Sequence, residues 1–162
     1  MLENEDVSLR LYESKYKAEL AQFHLTVEQK KFTALPIEAL KICTEDPNRR
    51  PIMVFSGEVP VGFFVLHTGE GIQDFSENPR TILLRAFCIN HCYQGKKYAS
   101  RAMAVLPYFV RQQFSDKEEI VLAVNKDNEP AKALYVKSGF RDTGAEKNGR
   151  SGQMHIYSYK LS

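Results

Sequence analysis

An apolar run, Ile82-Leu83-Leu84-Arg85-Ala86-Phe87-Cys88-Ile89, is soon followed by Tyr93-Gln94-Gly95-Lys96-Lys97-Tyr98-Ala99-Ser100-Arg101-Ala102-Met103. The order predicts a buried strand that turns sharply into a helix. Such a junction leaves the first backbone N–H groups of the helix unpaired. With the helix dipole they form a ready anion site, used most often for phosphate. Lys96 and Lys97 add positive charge to it, and the small Ala99 lets backbone and phosphate approach closely. Taken alone, the string equally suits a plain polar connection.

A second segment, Asn128-Glu129-Pro130-Ala131-Lys132-Ala133-Leu134-Tyr135-Val136-Lys137-Ser138-Gly139-Phe140, carries helix signals at both ends. Asn128 can cap it, Pro130 suits its first turn, and Gly139 can close it in a left-handed conformation. Phe140 would then fold back toward Tyr135. The two segments together resemble the GNAT superfamily of N-acetyltransferases, which uses acetyl-CoA. The family's pyrophosphate turn reads Gln/Arg-x-x-Gly-x-Gly/Ala; Gln94 and Ala99 match its ends, and Lys97 stands at its inner glycine. Asn128, Ala131, Leu134, Tyr135, Gly139 and Phe140 match the family's Asn-x-x-Ala-x-x-Leu-Tyr-x-x-x-Gly-Phe pattern. The match is good over residues 80–161 and loose over the first 50.

The remaining chain fits one domain, residues 1–162, large enough for a full core. Val7 to Tyr12, Pro51 to Phe55, Val61 to His67, Ile82 to Ile89, Glu119 to Val124, Arg141 to Glu146 and Gln153 to Leu161 read as strands. Helices are expected from Ser14 toward Phe23 with Ser14 as cap, after Pro36, from the phosphate turn to about Phe114, and from Asn128. Pro107 should kink or break the third of these. Ser56-Gly57-Glu58 reads as a hairpin turn, and Gly69 to Asn78 as a loop. This order is α+β. It agrees with the acetyltransferase fold that the resemblance implies, a mixed, mostly antiparallel sheet of seven strands flanked by four helices.

Composition excludes several classes. With 43% hydrophobic and 26% charged residues the chain is an ordinary globular one, and a net charge of +2 offers no basic face for nucleic acid. The acidic start, Met1-Leu2-Glu3-Asn4-Glu5-Asp6, does not read as a signal peptide, and the run Val61 to Leu66 is far too short to span a bilayer. A cytoplasmic protein with no membrane partner is expected. Its three cysteines, Cys43, Cys88 and Cys92, are then reduced thiols. Cys88, His91 and Cys92 lack a second ligand pair at metal-finger spacing, so no metal is expected.

The resemblance also assigns chemistry. It places the cofactor against Phe87, Cys88 and Ile89, against the turn from Gln94 through Gly95, Lys96, Lys97, Tyr98 and Ala99 to Ser100, and against Asn128, Ala131 and Tyr135. Phe87 to Ile89 would pair with the pantetheine arm like an added strand, which makes the Ile89 N–H a candidate oxyanion donor. If the inner-glycine position needs positive φ, lysine costs about 1 kcal/mol or more there; a helical φ at Lys97 is the favoured expectation. Tyr135 would act as general acid on the departing thiolate. Unperturbed Tyr titrates near ~10 and a thiol near ~8.5, so full transfer is uphill by about 2 kcal/mol. Hydrogen bonding, or a tuned pKa, is therefore required.

The acceptor amine must also lose a proton. A neutral alkyl amine at pH 7 costs roughly 4.6 kcal/mol to reach, so a general base is expected. Many relatives carry a carboxylate on the central strand, where this chain has Leu83, Leu84 and Arg85. His24, Glu28, His67, Glu70 and Asp74 are the alternative bases. Phe23 to Phe32 and Pro36 to Leu40 resemble the first two helices of polyamine-type acetyltransferases, which makes His24, Glu28, Gln29 and Phe32 candidate substrate contacts. Glu28, Glu38, Glu70, Asp74 and Glu77 could attract a cationic amine. The implied activity is acetyl-CoA-dependent N-acetylation of a small amine, with polyamines the nearest resemblance, by direct attack in a ternary complex. The rival readings are a protein or peptide N-acetyltransferase and a catalytically silent CoA-binding sensor. Members of the superfamily often form homodimers.

Overall fold

The computed structural model describes residues 6–161. The acidic start discussed above lies largely outside them. Seven strands form one sheet: β1 (Val7–Leu11), β2 (Arg49–Ser56), β3 (Val59–His67), β4 (Thr81–Ile89), β5 (Glu119–Asn125), β6 (Arg141–Gly149) and β7 (Gly152–Lys160). Their order is β1-β2-β3-β4-β5-β7-β6. Every pairing is antiparallel except β4 with β5, which is parallel. Five α-helical segments flank the sheet: α1 (Lys17–Ala21), α2 (Val27–Lys30), α3 (Pro36–Glu45), α4 (Tyr98–Gln113) and α5 (Glu129–Lys137). The expected seven strands are all present. The extra helix is α2, a single turn closed by a capping box between Thr26 and Gln29.

Two layers of core follow from strand alternation. Ile82, Leu84, Ile120, Leu122 and Val124 face α4, whose stripe of Ala102, Met103, Leu106 and Val110 is buried against them. Met53, Phe55, Phe63 and Val65 face the other way, against Leu20, Leu25, Ala39 and Leu40 of the first three helices and their connections. No helix among the described residues is long and apolar enough to cross a membrane.

Two local expectations need correction. The break allowed for at Pro107 does not occur: α4 runs from Tyr98 to Gln113 as one helix. The proline forfeits one hydrogen bond, but its helix is anchored by the buried stripe on both sides of it, and tertiary packing outweighs the local penalty. Ser14 does not cap the first helix: that segment opens as a 3₁₀ turn, Ser14–Tyr16, with Glu13 at its N-cap position and no side-chain cap.

The feature that positions the site is the junction of β4 and β5. Only Thr81, Ile82 and Leu83 pair with β5, opposite Glu119, Ile120 and Val121. Beyond them β4 carries a bulge opposite the Phe63–Val65 stretch of β3, with Ala86 at φ 57°. The extra residue puts Arg85 and Ala86 on the same face and bends the strand away from its neighbour. The sheet therefore splays open between the C-terminal halves of β4 and β5.

Candidate active site

A cleft of ≈ 530 Å³ occupies this splay. β4 supplies one wall through Phe87, Cys88 and Ile89, and β5 the other through Leu122 to Asn125. Asn90 N donates to Val61 O across the β3–β4 ladder at 2.9 Å. The alternation of an antiparallel ladder then turns the N–H and C=O of Ile89 away from β3, toward the open gap. The Ile89 carbonyl accepts from Gln94 Nε2 at 2.8 Å, while its N–H is left for a ligand.

The turn into α4 closes one end of the cleft. Gly95 has φ 80° with no atom within 4 Å of where a Cβ would stand. Lys97 is the N-cap residue of α4, has φ 68° and makes no side-chain cap. The expectation of a helical φ at Lys97 is thus corrected. The turn needs a left-handed residue at this position, as the family's glycine would supply, and lysine bears the strain. Gly95, Lys97, Tyr98, Ala99 and Ser100 all line the cleft, whereas Lys96 does not. Tyr98 joins with its ring in the core, its hydroxyl accepting from Ser56 Oγ at 3.3 Å. The first-turn N–H groups, with no side-chain cap and no acidic residue in that turn, suit a phosphate. The small Ala99 and the open space at Gly95 leave room for it.

α5 supplies the remaining wall. Asn128 Oδ1 accepts from Ala131 N at 3.3 Å, and Gly139 has φ 99°, so both ends form as read from the sequence. Tyr135 is buried, lines the cleft and packs edge-on against Phe140 at 5.7 Å between ring centroids. No hydrogen bond to another described residue occupies its hydroxyl. Burial pushes its pKa above the ordinary tyrosine value. A tuned-down acid is therefore not what this residue is; it is a neutral hydrogen-bond donor. Cys88 is likewise buried, and its thiol is pushed up to about 12 by desolvation, which leaves it inert as a nucleophile.

A second cavity of ≈ 290 Å³ lies on the opposite face of the sheet. Leu83, Arg85 and Ala123 form its floor, Ala39 and Ile42 of α3 one side, and Phe75 another. The turn between β6 and β7 closes its rim: Arg150 Nη2 donates to Lys30 O at 3.3 Å, and Ser151 Oγ bonds Lys31 O. Phe32, Thr33, Arg85 and Ala86 line both cavities, so the two spaces adjoin.

The acceptor-side candidates divide. Glu28, Gln29 and Phe32 line the cleft, but His24 does not; its ring stacks edge-on with His91 at the surface. Gln29 is engaged twice, in the capping box with Thr26 and by donating to Gln94 Oε1 at 2.8 Å. It fastens α2 to the phosphate turn. Glu28 sits 3.2 Å from Lys31. Glu38 bonds the N-terminus of α3, Asp74 pairs with Lys147, and Glu70 and Glu77 lie beside a different hollow. The five carboxylates do not converge. His67 is buried and lines neither cavity, and burial followed by the charges of Arg49 and Arg85 holds its pKa down to about 4. Sequence reasoning missed the cationic surround of the second cavity, Arg49, Arg85 and Arg150, because those residues meet only in the fold.

Residues 10–140 match the Acetyltransferase (GNAT) family. A curated relative, the uncharacterized N-acetyltransferase YbbJ of Bacillus subtilis (strain 168), is 40% identical over 158 residues, or 97% of this chain and 99% of that protein. The chain belongs to the GNAT family. It is accordingly an acyltransferase. The GNAT fold is shared with solved structures of low identity. Aminoglycoside acetyltransferase AAC(6')-Ib in complex with coenzyme A and kanamycin superposes with a TM-score of 0.78 at 16% identity, covering 96% of this chain and 95% of that one. Spermidine N-acetyltransferase from Vibrio cholerae, with CoA and spermine, gives 0.72 at 17% identity, covering 96% of each chain. Among the described residues, no group of three or more His, Cys, Asp or Glu side chains is placed to hold a metal.

Proposed function

We propose that this protein transfers the acetyl group of acetyl-CoA to a primary amine of a small molecule by direct attack in a ternary complex. The observation that carries the reading is the splay of β4 from β5, open at the uncapped N-terminus of α4 and adjoining a second cavity across the sheet. The two solved structures named above hold CoA together with kanamycin or spermine. Both are small amines, which supports the same class here.

Bound acetyl-CoA supplies an activated acyl group: the amine nitrogen bonds the thioester carbon as the C–S bond breaks, the amine losing a proton and the sulfur gaining one. The turn from Gln94 to Ser100 holds the pyrophosphate through its N–H groups. The Ile89 N–H, aimed into the gap, stabilises the carbonyl oxygen as charge develops on it. Tyr135 donates a hydrogen bond to the departing sulfur. Of the five alternative bases, only Glu28 lines the cleft, which supports it as the group that takes the amine proton, directly or through water. Cys88 takes no part.

The rim closed by the β6–β7 turn favours a small acceptor over a peptide lying in an open groove. With its three unpaired cysteines, the protein suits a reducing cytoplasm. Isothermal calorimetry with acetyl-CoA, followed by thiol release in the presence of amines, tests the proposal. Binding plus amine-dependent release is expected. Binding without release from any amine would favour the silent sensor.

A further inference from the structure

The second cavity carries a charge pattern opposite to the one expected for a polycationic acceptor. Its lining includes Lys31, Arg49, Arg85 and Arg150 and contains no aspartate or glutamate. Two carboxylates paired with these cations are engaged, Glu28 with Lys31 at 3.2 Å and Asp46 with Arg49 at 3.4 Å. Arg85 is the exception. It is half-buried on the floor where the two cavities meet, and it forms no ion pair among the described residues. Its one polar partner is His67, whose Nδ1 accepts from Arg85 Nη1 at 3.1 Å. Burial and the charge of Arg49 hold His67 neutral, so it gives Arg85 a hydrogen bond without a charge of its own; the carboxylate of Asp46, 3.6 Å from His67 Nε2, acts on Arg85 only at a distance and is already paired with Arg49.

A guanidinium has five N–H donors, and only one is engaged here. A half-buried cation with no anion in direct contact is unfavourable unless a ligand completes it. The rest of the floor and wall is apolar, through Val65, Leu83, Ala123 and Phe75, which strengthens any ion pair formed there.

We infer that the amine acetylated by this protein carries an anionic oxygen group, a carboxylate or a phosphate, that Arg85 grips in the second cavity. The inference rests on the acetyl-transfer reading above and sharpens it. Arginine's planar fork matches both groups, and the neighbouring cations repel polyamines and aminoglycosides. The polyamine acceptor suggested by the sequence resemblance is thereby disfavoured. The same positive field favours the neutral, nucleophilic form of the incoming amine, and so lessens the demand on a general base.

The experiment uses matched amines with the CoA-loaded protein: phenylalanine against phenethylamine, phosphoethanolamine against ethanolamine, and spermidine and kanamycin as polycations. Calorimetry reads binding, and thiol release from acetyl-CoA reads transfer. The anionic member of at least one pair should bind roughly 10- to 100-fold more tightly than its uncharged partner, the range of a charge-assisted paired contact. The winning pair distinguishes carboxylate from phosphate. Arg85→Gln should erase the preference, and Arg85→Lys, which keeps charge but not the fork, should retain part of it. Arg150→Ala, on the exposed rim, should reduce it several-fold without touching the strand. Equal binding within both pairs, or tighter binding of spermidine, overturns the inference and leaves acetyl transfer standing. Anion preference with no transfer to any amine supports the anion site and overturns the acetyl-transfer reading instead.

Discussion

Replacing Tyr135 by phenylalanine removes one hydroxyl and nothing else. The ring stays packed on Phe140, and no hydrogen bond to another described residue is lost, so folding stability should change by less than about 0.5 kcal/mol. The effect on chemistry should be much larger. With its pKa raised by burial, Tyr135 remains neutral and full proton transfer to a thiolate is even further uphill than for an ordinary tyrosine. What it can give is a hydrogen bond to developing charge on sulfur, worth about 1.5–3 kcal/mol. Its removal should therefore lower kcat by roughly 10- to 150-fold. The ground-state thioester carries no such charge, so the acetyl-CoA dissociation constant should move by less than about twofold. Pre-steady-state thiol release with saturating amine, alongside calorimetry of acetyl-CoA, separates the two quantities. The pH profile adds a check: no descending limb attributable to this tyrosine should appear below pH ~10. An unchanged kcat would refute the assignment, and equal losses of kcat and cofactor affinity would show that the residue merely shapes the cleft.

Lys97→Gly relieves a left-handed lysine, a gain partly offset by added freedom in the unfolded chain, and should raise stability by about 0.5–1 kcal/mol by urea denaturation; a loss would mean that the side chain supports the turn. Asn128→Ala removes the cap of α5 and should cost about 1 kcal/mol in the same assay. His67 has a folded pKa of about 4 against 6.5 for the unfolded chain. Between those values the unfolded chain binds the extra proton, so this contribution is complete above pH 6.5 and is lost as pH falls toward 4. The loss amounts to about 3 kcal/mol, and His67→Gln should flatten that part of the stability–pH curve; an unchanged curve would contradict the neutral, buried histidine.

The parts of this molecule that local chemistry dictates were legible in its residues. Asn128, Pro130 and Gly139 bound α5 because capping and backbone freedom are local properties. Apolar patterning marked β1 to β5 and β7 in the same local way, whereas β6, Arg141–Gly149, is polar and mostly exposed. The splay between β4 and β5 was not legible, because it depends on a bulge at Ala86 that only the pairing with β3 defines. Pro107 does not break α4 because its local penalty is outweighed by the buried stripe of that helix. Lys97 misled because the turn's geometry, not the residue's preference, sets its φ. Arg85 was visible as an arginine within an apolar strand, but its meaning required Arg49 and Arg150, brought from distant segments, and the neutral His67 beside it.

Whether this fold carries acetyl from acetyl-CoA to a small amine is decided by thiol release from acetyl-CoA across a panel of amines. The panel should include amino acids, phosphorylated amines, polyamines, aminoglycosides and a lysine peptide. Release should depend on a small amine, saturate with it and yield one acetylated product per thiol. Silence across the panel while acetyl-CoA binds, or release with the lysine peptide alone, would contradict it.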